Sequence, residues 1–207
     1  MHEDTDLMNN FINICKVIKP KISIEVGGFD AVYSQEIAKY DFCEEVYVYE
    51  ANPYVYEHFL PTFPPKIKYE NIAISDYQGT ANLGLESILD PIQGHFSIKT
   101  RPDRNIEETI GVTCSSLDFL HLYAPERKIA MWIDCEGSNR EVLLGARNLL
   151  SNVEALFIET EHYPFWEDQW LHDDVVEYLA TLGFLLFSQT PYGEMQSNCI
   201  FLKKFPF

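Results

Sequence analysis

The chain has 207 residues, enough for one compact domain with a sizeable core. Its 46% apolar content excludes a disordered chain, and 15 basic against 32 acidic residues (net charge −17) weigh against a nucleic-acid partner, whose phosphates would be repelled. Five irregularly spaced cysteines do not read as a disulfide framework, no apolar run approaches the ~20 residues of a membrane span, and the acidic start is unlike a signal peptide, so the expectation is a cytoplasmic domain with no membrane insertion.

Apolar side chains at helical spacing over 7–18 predict a helix within an N-terminal segment, 1–20, that stops at Pro20. A short strand over 22–26 runs into Gly27 and Gly28, and a helix follows over about 33–40. A second strand, 45–50, rich in Val and Tyr, ends in Glu50. Asn52-Pro53 breaks it and a helix begins by Val55. The run 67–74 predicts a third strand, and 80–85 a short extra one.

Residues 86–108 form an irregular loop, long enough to carry function. Strand returns over 109–114, Ser116 reads as a helix cap, and 128–134 is a fourth core strand, apolar until Asp134. An amphipathic helix is predicted over 139–150, a fifth strand over 155–158, and a helix over 173–182 stopped by Gly183. Strands over 184–187 and 198–202, joined by a turn near Gly193, make an antiparallel pair at one edge. Strands and helices otherwise alternate, which predicts a single α/β domain over 1–207 with a mostly parallel open sheet.

In such sheets a ligand sits beyond the carboxyl ends of the strands. Those ends carry polar or acidic groups: Glu25 with Gly27 and Gly28, then Glu50, Asn71, Asp134 with Glu136, and Glu159 with Glu161 and His162. Glu50 lies 22 positions after Gly28, the spacing at which a second strand end reaches a ribose. Val32 and Tyr33 stand where a third glycine would complete a pyrophosphate cradle, which favours a nucleoside cofactor without a diphosphate, such as S-adenosylmethionine. Asn71 and Ile72 offer a polar contact and an apolar wall for adenine.

The residues Glu25-Val-Gly-Gly-Phe-Asp-Ala-Val-Tyr-Ser34, Val48-Tyr-Glu50-Ala-Asn-Pro53, Asn71-Ile-Ala-Ile-Ser-Asp76, Ser116-Leu-Asp118 and Ile133-Asp-Cys-Glu-Gly137 resemble the successive signatures of FkbM-type methyltransferases. That resemblance implies a Rossmann-like class I methyltransferase fold with a seven-stranded sheet, S-adenosylmethionine as cofactor, and O-methylation of a sugar or glycan hydroxyl. It implies that Glu25, Gly27, Gly28, Phe29 and Asp30, with Tyr33 and Ser34, hold the methionine end. Glu50, with Ala51 and Asn52, takes the ribose, and Asn71, Ile72 and Ala73 flank the adenine. The family pattern is commonly Asp-x-Gly-Ala-Asn-x-Gly; here Phe29 replaces the Asn and Ala31 the last Gly.

Methyl transfer to a hydroxyl needs a general base at the cleft mouth, and Asp134 and His162 are the candidates. His95, in the irregular loop, is a second-rank base and substrate contact. Glu136, Glu161, Tyr163 and Trp166 are expected to meet the carbohydrate, with Trp166 and Trp170 as an apolar platform or a packed helix face. Asp134, Glu136, Glu161 and His162 are also a secondary candidate for a divalent cation. The competing readings are a nicotinamide-dependent oxidoreductase and a non-catalytic nucleoside-binding scaffold; the chain also suits a module of a larger glycan-assembly protein.

Overall fold

A computed structural model describes residues 2–92, 96–122 and 127–204, with side chains from residue 7 onward. A helix, α1 (His2–Ile18), leads into β1 (Ile22–Val26), α2 (Val32–Ile37), β2 (Glu45–Tyr49) and α3 (Pro53–Phe59). Next come β3 (Ile67–Glu70), β4 (Ala73–Ile74), β5 (Gly79–Leu85), β6 (Glu108–Ser115) and α4 (Leu117–Leu120). The second half holds β7 (Ile129–Ile133), α5 (Asn139–Leu144), β8 (Val153–Glu161), α6 (His172–Thr181), β9 (Phe184–Tyr192) and β10 (Gln196–Lys203).

Seven strands form one sheet in the order β3-β2-β1-β7-β8-β10-β9, parallel from β3 to β8. The antiparallel pairing expected at one edge is that of β9 with β10, and β10 also runs against β8. The chain works outward from β1 to β3 and then returns to the other side of β1 as β7. That reversal opens a crevice beyond the carboxyl ends of β1 and β7.

Each face of the sheet buries its own core. On one side Val142, Leu143, Val175 and Leu179 from α5 and α6 pack on β1, β7 and β8. On the other, Phe11 of α1 meets Tyr33, Trp132 and Phe157 with ring centroids 5.4, 5.9 and 6.0 Å apart. Polar caps set two helix starts: Asn52 accepts from Tyr54 N–H at 2.9 Å with Pro53 in the first turn, and Ser116 accepts from Phe119 N–H.

The helix expected over about 33–40 ends at Ile37, the strands expected over 184–187 and 198–202 run over Phe184–Tyr192 and Gln196–Lys203, and three further departures bear on the cleft. The expected strand 67–74 splits at Asn71, whose Nδ2 donates to the carbonyls of Glu50 and Ala51 at 2.8 and 3.1 Å. Past that point β4 joins a separate three-stranded sheet, β4-β6-β5, with its own small core around Leu83, Leu85 and Val112. The helix expected to run to 150 stops at Leu144, because Gly145 lies so close to β4 that a Cβ would stand 2.0 Å from the Ser75 carbonyl oxygen. The Asp118 carboxylate then takes the N–H groups of Asn148 and Leu149, restarting the chain as a separate turn. Finally, β8 runs to Glu161 rather than 158, so Glu159 and Glu161 lie inside a paired strand.

All five cysteines are free. No helix among the described residues is long and apolar enough to cross a membrane.

Candidate cofactor cleft

The crevice is a cavity of about 200 Å³ at the ends of β1, β2 and β7, roofed by the small sheet and the segment after it. Its first wall is the turn after β1. The N–H groups of Gly27 and Gly28 both donate to the Tyr49 carbonyl, at 3.0 and 3.1 Å. Gly27 has φ +80°, and a Cβ there would lie 1.7 Å from the Asp134 carbonyl oxygen; a Cβ on Gly28 would lie 2.2 Å from Val48 Cγ1. One glycine therefore lets the turn touch the end of β7, and the other lets it touch β2.

Glu50 closes that turn. Its Oε2 accepts from Phe29 N–H at 2.9 Å and its Oε1 from Asn52 N–H at 2.7 Å. Burial pushes this carboxyl upward, against the lowering effect of the Asn52, Phe29 and Ala51 N–H groups. Tyr69 Oη donates to the Phe29 carbonyl at 2.8 Å, and the Phe29 ring packs 5.2 Å from Phe59. Phe29 and Ala31 have φ +41° and +48°. These are the two positions where the family pattern has Asn and Gly, residues suited to left-handed backbone. The replacements keep the turn's shape at the cost of local strain.

Of the residues expected to hold the cofactor, Gly27, Phe29, Glu50, Ala51, Ile72 and Ala73 line the cavity. Gly28, Asn52 and Asn71 brace it from behind, Asn52 through its cap and a 2.7 Å bond from Nδ2 to the Pro91 carbonyl. Asp30 does not line it; its carbonyl accepts from Gln35 Nε2. Glu25, Tyr33 and Ser34 are interior groups. Glu25 Oε2 accepts from Ser34 N–H at 3.0 Å, and burial, opposed by Ser34 and reinforced by Asp134 and Asp30, pushes its carboxyl up to about 8. The Tyr33 hydroxyl meets Ser23 Oγ at 2.9 Å beneath a ring stacked 4.9 Å from Trp132. Tyr33 is thus a core residue, because the short α2 turns its first-turn side chain toward the sheet.

Asp134 and Glu136 line the cavity, and Cys135 and Ser138 join them. His162 does not: with β8 extended to Glu161, its Nε2 lies 2.8 Å from Ser197 Oγ and its ring 4.6 Å from His172. Its N–H also donates to the Met195 carbonyl at 2.7 Å, so it belongs to the β9–β10 hairpin. Tyr163 is exposed and lies outside the cavity. Trp166 and Trp170 form no joint platform, since 160–171 is not a helix; Trp170 packs on Tyr178, while Trp166 lies against Gly137. Glu161 is buried, its Oε1 accepting from Gly137 N–H at 3.3 Å. His95 lies outside the described residues. Among the described residues no group of three His, Cys, Asp or Glu side chains could hold a metal ion, so the four-residue cation candidate is not assembled.

Sequence reasoning missed the roof. Leu83 of β5, with Phe96 and Ile98, supplies an apolar wall of the cavity. The alternation Phe96-Ser97-Ile98 was the available signal. Ser97 Oγ donates to the Glu136 carbonyl at 2.6 Å, tying roof to floor. Lys99 continues the tie, 2.8 Å from Glu141 and donating to the Asp168 carbonyl at 3.1 Å. Arg101 lies over the rings of Phe165 and Trp166 at 4.7 and 5.2 Å. Among the described lining residues there are three carboxylates, Glu50, Asp134 and Glu136, and no Lys, Arg or His. Such a cleft suits a cationic nucleoside and opposes a diphosphate.

The family model described as the methyltransferase FkbM domain matches residues 14–186. No curated protein matches the chain. Among solved structures, Streptococcus pneumoniae Sp1610 bound to S-adenosyl-L-methionine, assigned provisionally as a tRNA (m1A22) methyltransferase, aligns at 11% identity over 96% of this chain and 74% of that one, TM-score 0.54. TrmK of M. capricolum with S-adenosyl-homocysteine aligns at 8% identity over 94% and 67%, TM-score 0.51. The ribosomal protein L11 methylase of Lactobacillus delbrueckii subsp. bulgaricus aligns at 12% identity over 99% and 81%, TM-score 0.50.

Proposed function

The chain belongs to the FkbM methyltransferase family, and from that premise we propose that it methylates a hydroxyl of a sugar or glycan. Its class is that of S-adenosylmethionine-dependent methyltransferases with the class I Rossmann-like fold. The observation that carries the cofactor reading is the cleft's charge: three carboxylates, no cation among the described lining residues, and apolar walls at Ile72, Leu83 and Phe96. This also weighs against the nicotinamide alternative, whose diphosphate would face the carboxylates of Glu50, Asp134 and Glu136.

When bound, S-adenosylmethionine supplies a sulfonium methyl for in-line displacement. Gly27 and Phe29 shape the backbone against its methionine end, Glu50 accepts from the ribose hydroxyls with lone pairs left over from its two N–H bonds, and Ile72 with Leu83 flanks the adenine. Asp134, at the end of β7 on the cavity floor, is the base that takes the acceptor's hydroxyl proton. Phe96 and Ile98 keep water from the reacting oxygen. Positioning of the acceptor supplies much of the rate, as in other reactions governed by near-attack geometry. The 97–101 segment and the loop 134–138 offer the acceptor surface.

An RNA acceptor is the second reading, suggested by the provisional assignment of Sp1610 as a tRNA methyltransferase; the net charge of −17 favours the carbohydrate. The test is incubation with isotopically labelled methyl donor and a panel of glycans and tRNA, read by mass spectrometry. A methyl ether on a glycan is the expected product. Label on tRNA alone favours the second reading, and cofactor binding with no transfer to any acceptor would reduce the chain to a scaffold.

A further inference from the structure

A second recess shares no residue with the cofactor cleft. It is a groove of about 570 Å³ lined by Ile14, Val17 and Ile18 of α1, Phe187 of β9 and Leu202 of β10. A surface helix needs one apolar stripe, the one it packs on the sheet. Helix α1 carries two. Phe11, Ile12 and Cys15 are buried against the sheet, whereas the stripe of Ile14, Val17 and Ile18 borders the groove, with Val17 83% exposed.

The facing wall is as apolar. Strand β9 ends the sheet, and its nine residues, Phe-Leu-Leu-Phe-Ser-Gln-Thr-Pro-Tyr, include no charge of the kind that usually guards an edge strand. A bulge leaves Phe187 as the extra residue between Leu186 and Ser188. Leu185, opposite Leu202 in the ladder, and Phe187 are 51% and 61% exposed. The bulge and Pro191 interrupt the outer edge, so a partner meets the face of the strand rather than extending the sheet. An apolar face of this kind marks a binding surface.

Charge selects the occupant. The charged residues lining the groove are one Glu154 and one Lys203, which cancel, and Lys203 Nζ already donates to the Leu150 carbonyl at 2.8 Å. A phosphate-bearing partner, nucleic acid or an anionic bilayer, finds no cationic excess there. Two copies of a chain of net charge −17 repel each other wherever acids are exposed, but at this face they meet without close like charges. The face is also self-complementary, because Phe187 projects beside a groove that a second Phe187 can enter. A two-fold axis satisfies both copies at once and closes the assembly. Covering Val17, Leu185, Phe187 and the groove walls in both copies removes on the order of 1,000 Å² of surface, the size at which specific interfaces begin. We propose that this face pairs two copies of the chain in a two-fold dimer, with Phe187 of each copy seated in the groove of the other. The proposal is independent of what the cleft methylates.

The test is sedimentation of the full chain from about 1 to 100 μM, where an interface of this size dissociates measurably. The mass should rise toward twice the 24.0 kDa of one chain. Phe187→Asp and Val17→Asp should each raise the dimer dissociation constant about tenfold or more, with thermal unfolding of the monomer unchanged because both side chains are exposed. Leu89→Asp adds the same charge at a side chain 93% exposed elsewhere on the surface and should leave the constant unchanged. A chain that stays monomeric throughout overturns the proposal, and its binding to phosphatidylcholine vesicles would then give the face to a lipid surface. A dimer that survives both groove variants overturns it too, since the contact lies elsewhere. An equal weakening by Leu89→Asp also overturns it, because added charge alone would explain the loss. If Phe187→Asp does not fold, Val17→Asp and the milder Phe187→Ser decide.

Discussion

The two sides of the cleft are built by different means. On the cofactor side, adjacent backbone segments touch directly: Gly27 and Gly28 share the Tyr49 carbonyl, and Gly27 rests on the Asp134 carbonyl. On the acceptor side, segments far apart in sequence are joined by side chains, Ser97 to Glu136, Lys99 to Glu141, Arg101 to Trp166. Backbone contact leaves no room for substitution. Side-chain ties can be varied one at a time, so the side proposed for the acceptor can change on a constant backbone frame.

The harshest way to break this contrast is Gly27→Ala. The new methyl meets backbone 1.7 Å away at φ +80°, and destabilisation on the order of 3 kcal/mol or more is expected in urea unfolding. A loss below about 1 kcal/mol would show that the turn does not rest on β7. Glu50→Ala strands the N–H groups of Phe29 and Asn52. Cofactor affinity should fall on the order of 10–100-fold by calorimetry, at about 1.5–3 kcal/mol for a bond to a charged group.

On the other side, Lys99→Met removes the cation from a pair whose side chains are only 13% and 11% exposed. Arg140 still reaches Glu141 at 3.1 Å, so the cost should be about 1–2 kcal/mol, below the range for a fully orphaned buried charge. If the division of labour holds, acceptor KM rises while cofactor affinity is kept; equal losses in both would erase it.

Glu25 sharpens the cofactor side through pH. Its folded-state carboxyl is raised to about 8 from 4.5, so above 4.5 the unfolded chain binds fewer protons there than the folded one. This group's contribution therefore falls as pH rises from about 4.5 to about 8 and levels off beyond. Glu25→Gln, which keeps an acceptor for Ser34 N–H, should match the unmodified chain near pH 4 and exceed it near pH 8 in thermal unfolding. Equal stability at both ends would place the charge outside the interior. The smallest effect is expected from Ala31→Gly: relief of about 1 kcal/mol of left-handed strain, less the loss of one buried methyl of about 0.8 kcal/mol, leaves a slight gain or no change. A clear loss would mean that the methyl contributes more than its φ of +48° costs.

The same contrast separates what could be read in the chain from what could not. The sheet's alternation, the Gly27-Gly28 turn, Glu50 at the second strand end and Asp134 at the fourth all follow from local pattern, because strand ends and tight turns have residue signatures over a few positions. Tyr33 and Ser34 were placed in the site by family pattern, yet they lie on the face of α2 turned to the core, while Val32 beside them takes the exposed face. His162 followed a strand whose end lay three residues later than its apolar run suggested; pairing with β10 carried β8 on through Glu159-Thr160-Glu161.

The sequence itself determined the alternating α/β sheet through periodicities of two and 3.6 residues and the cleft carboxylates through acids at strand ends, while the class I fold and the cofactor class came from the missing third glycine and the resemblance to the FkbM family. Tertiary structure alone decided that 67–74 serves two sheets, that Leu83, Phe96 and Ile98 roof the cleft, and that Glu161 and Trp166 meet at Gly137. Glu161 and Trp166 stand 24 and 29 positions from Gly137, and no local pattern records a partner that only packing brings near.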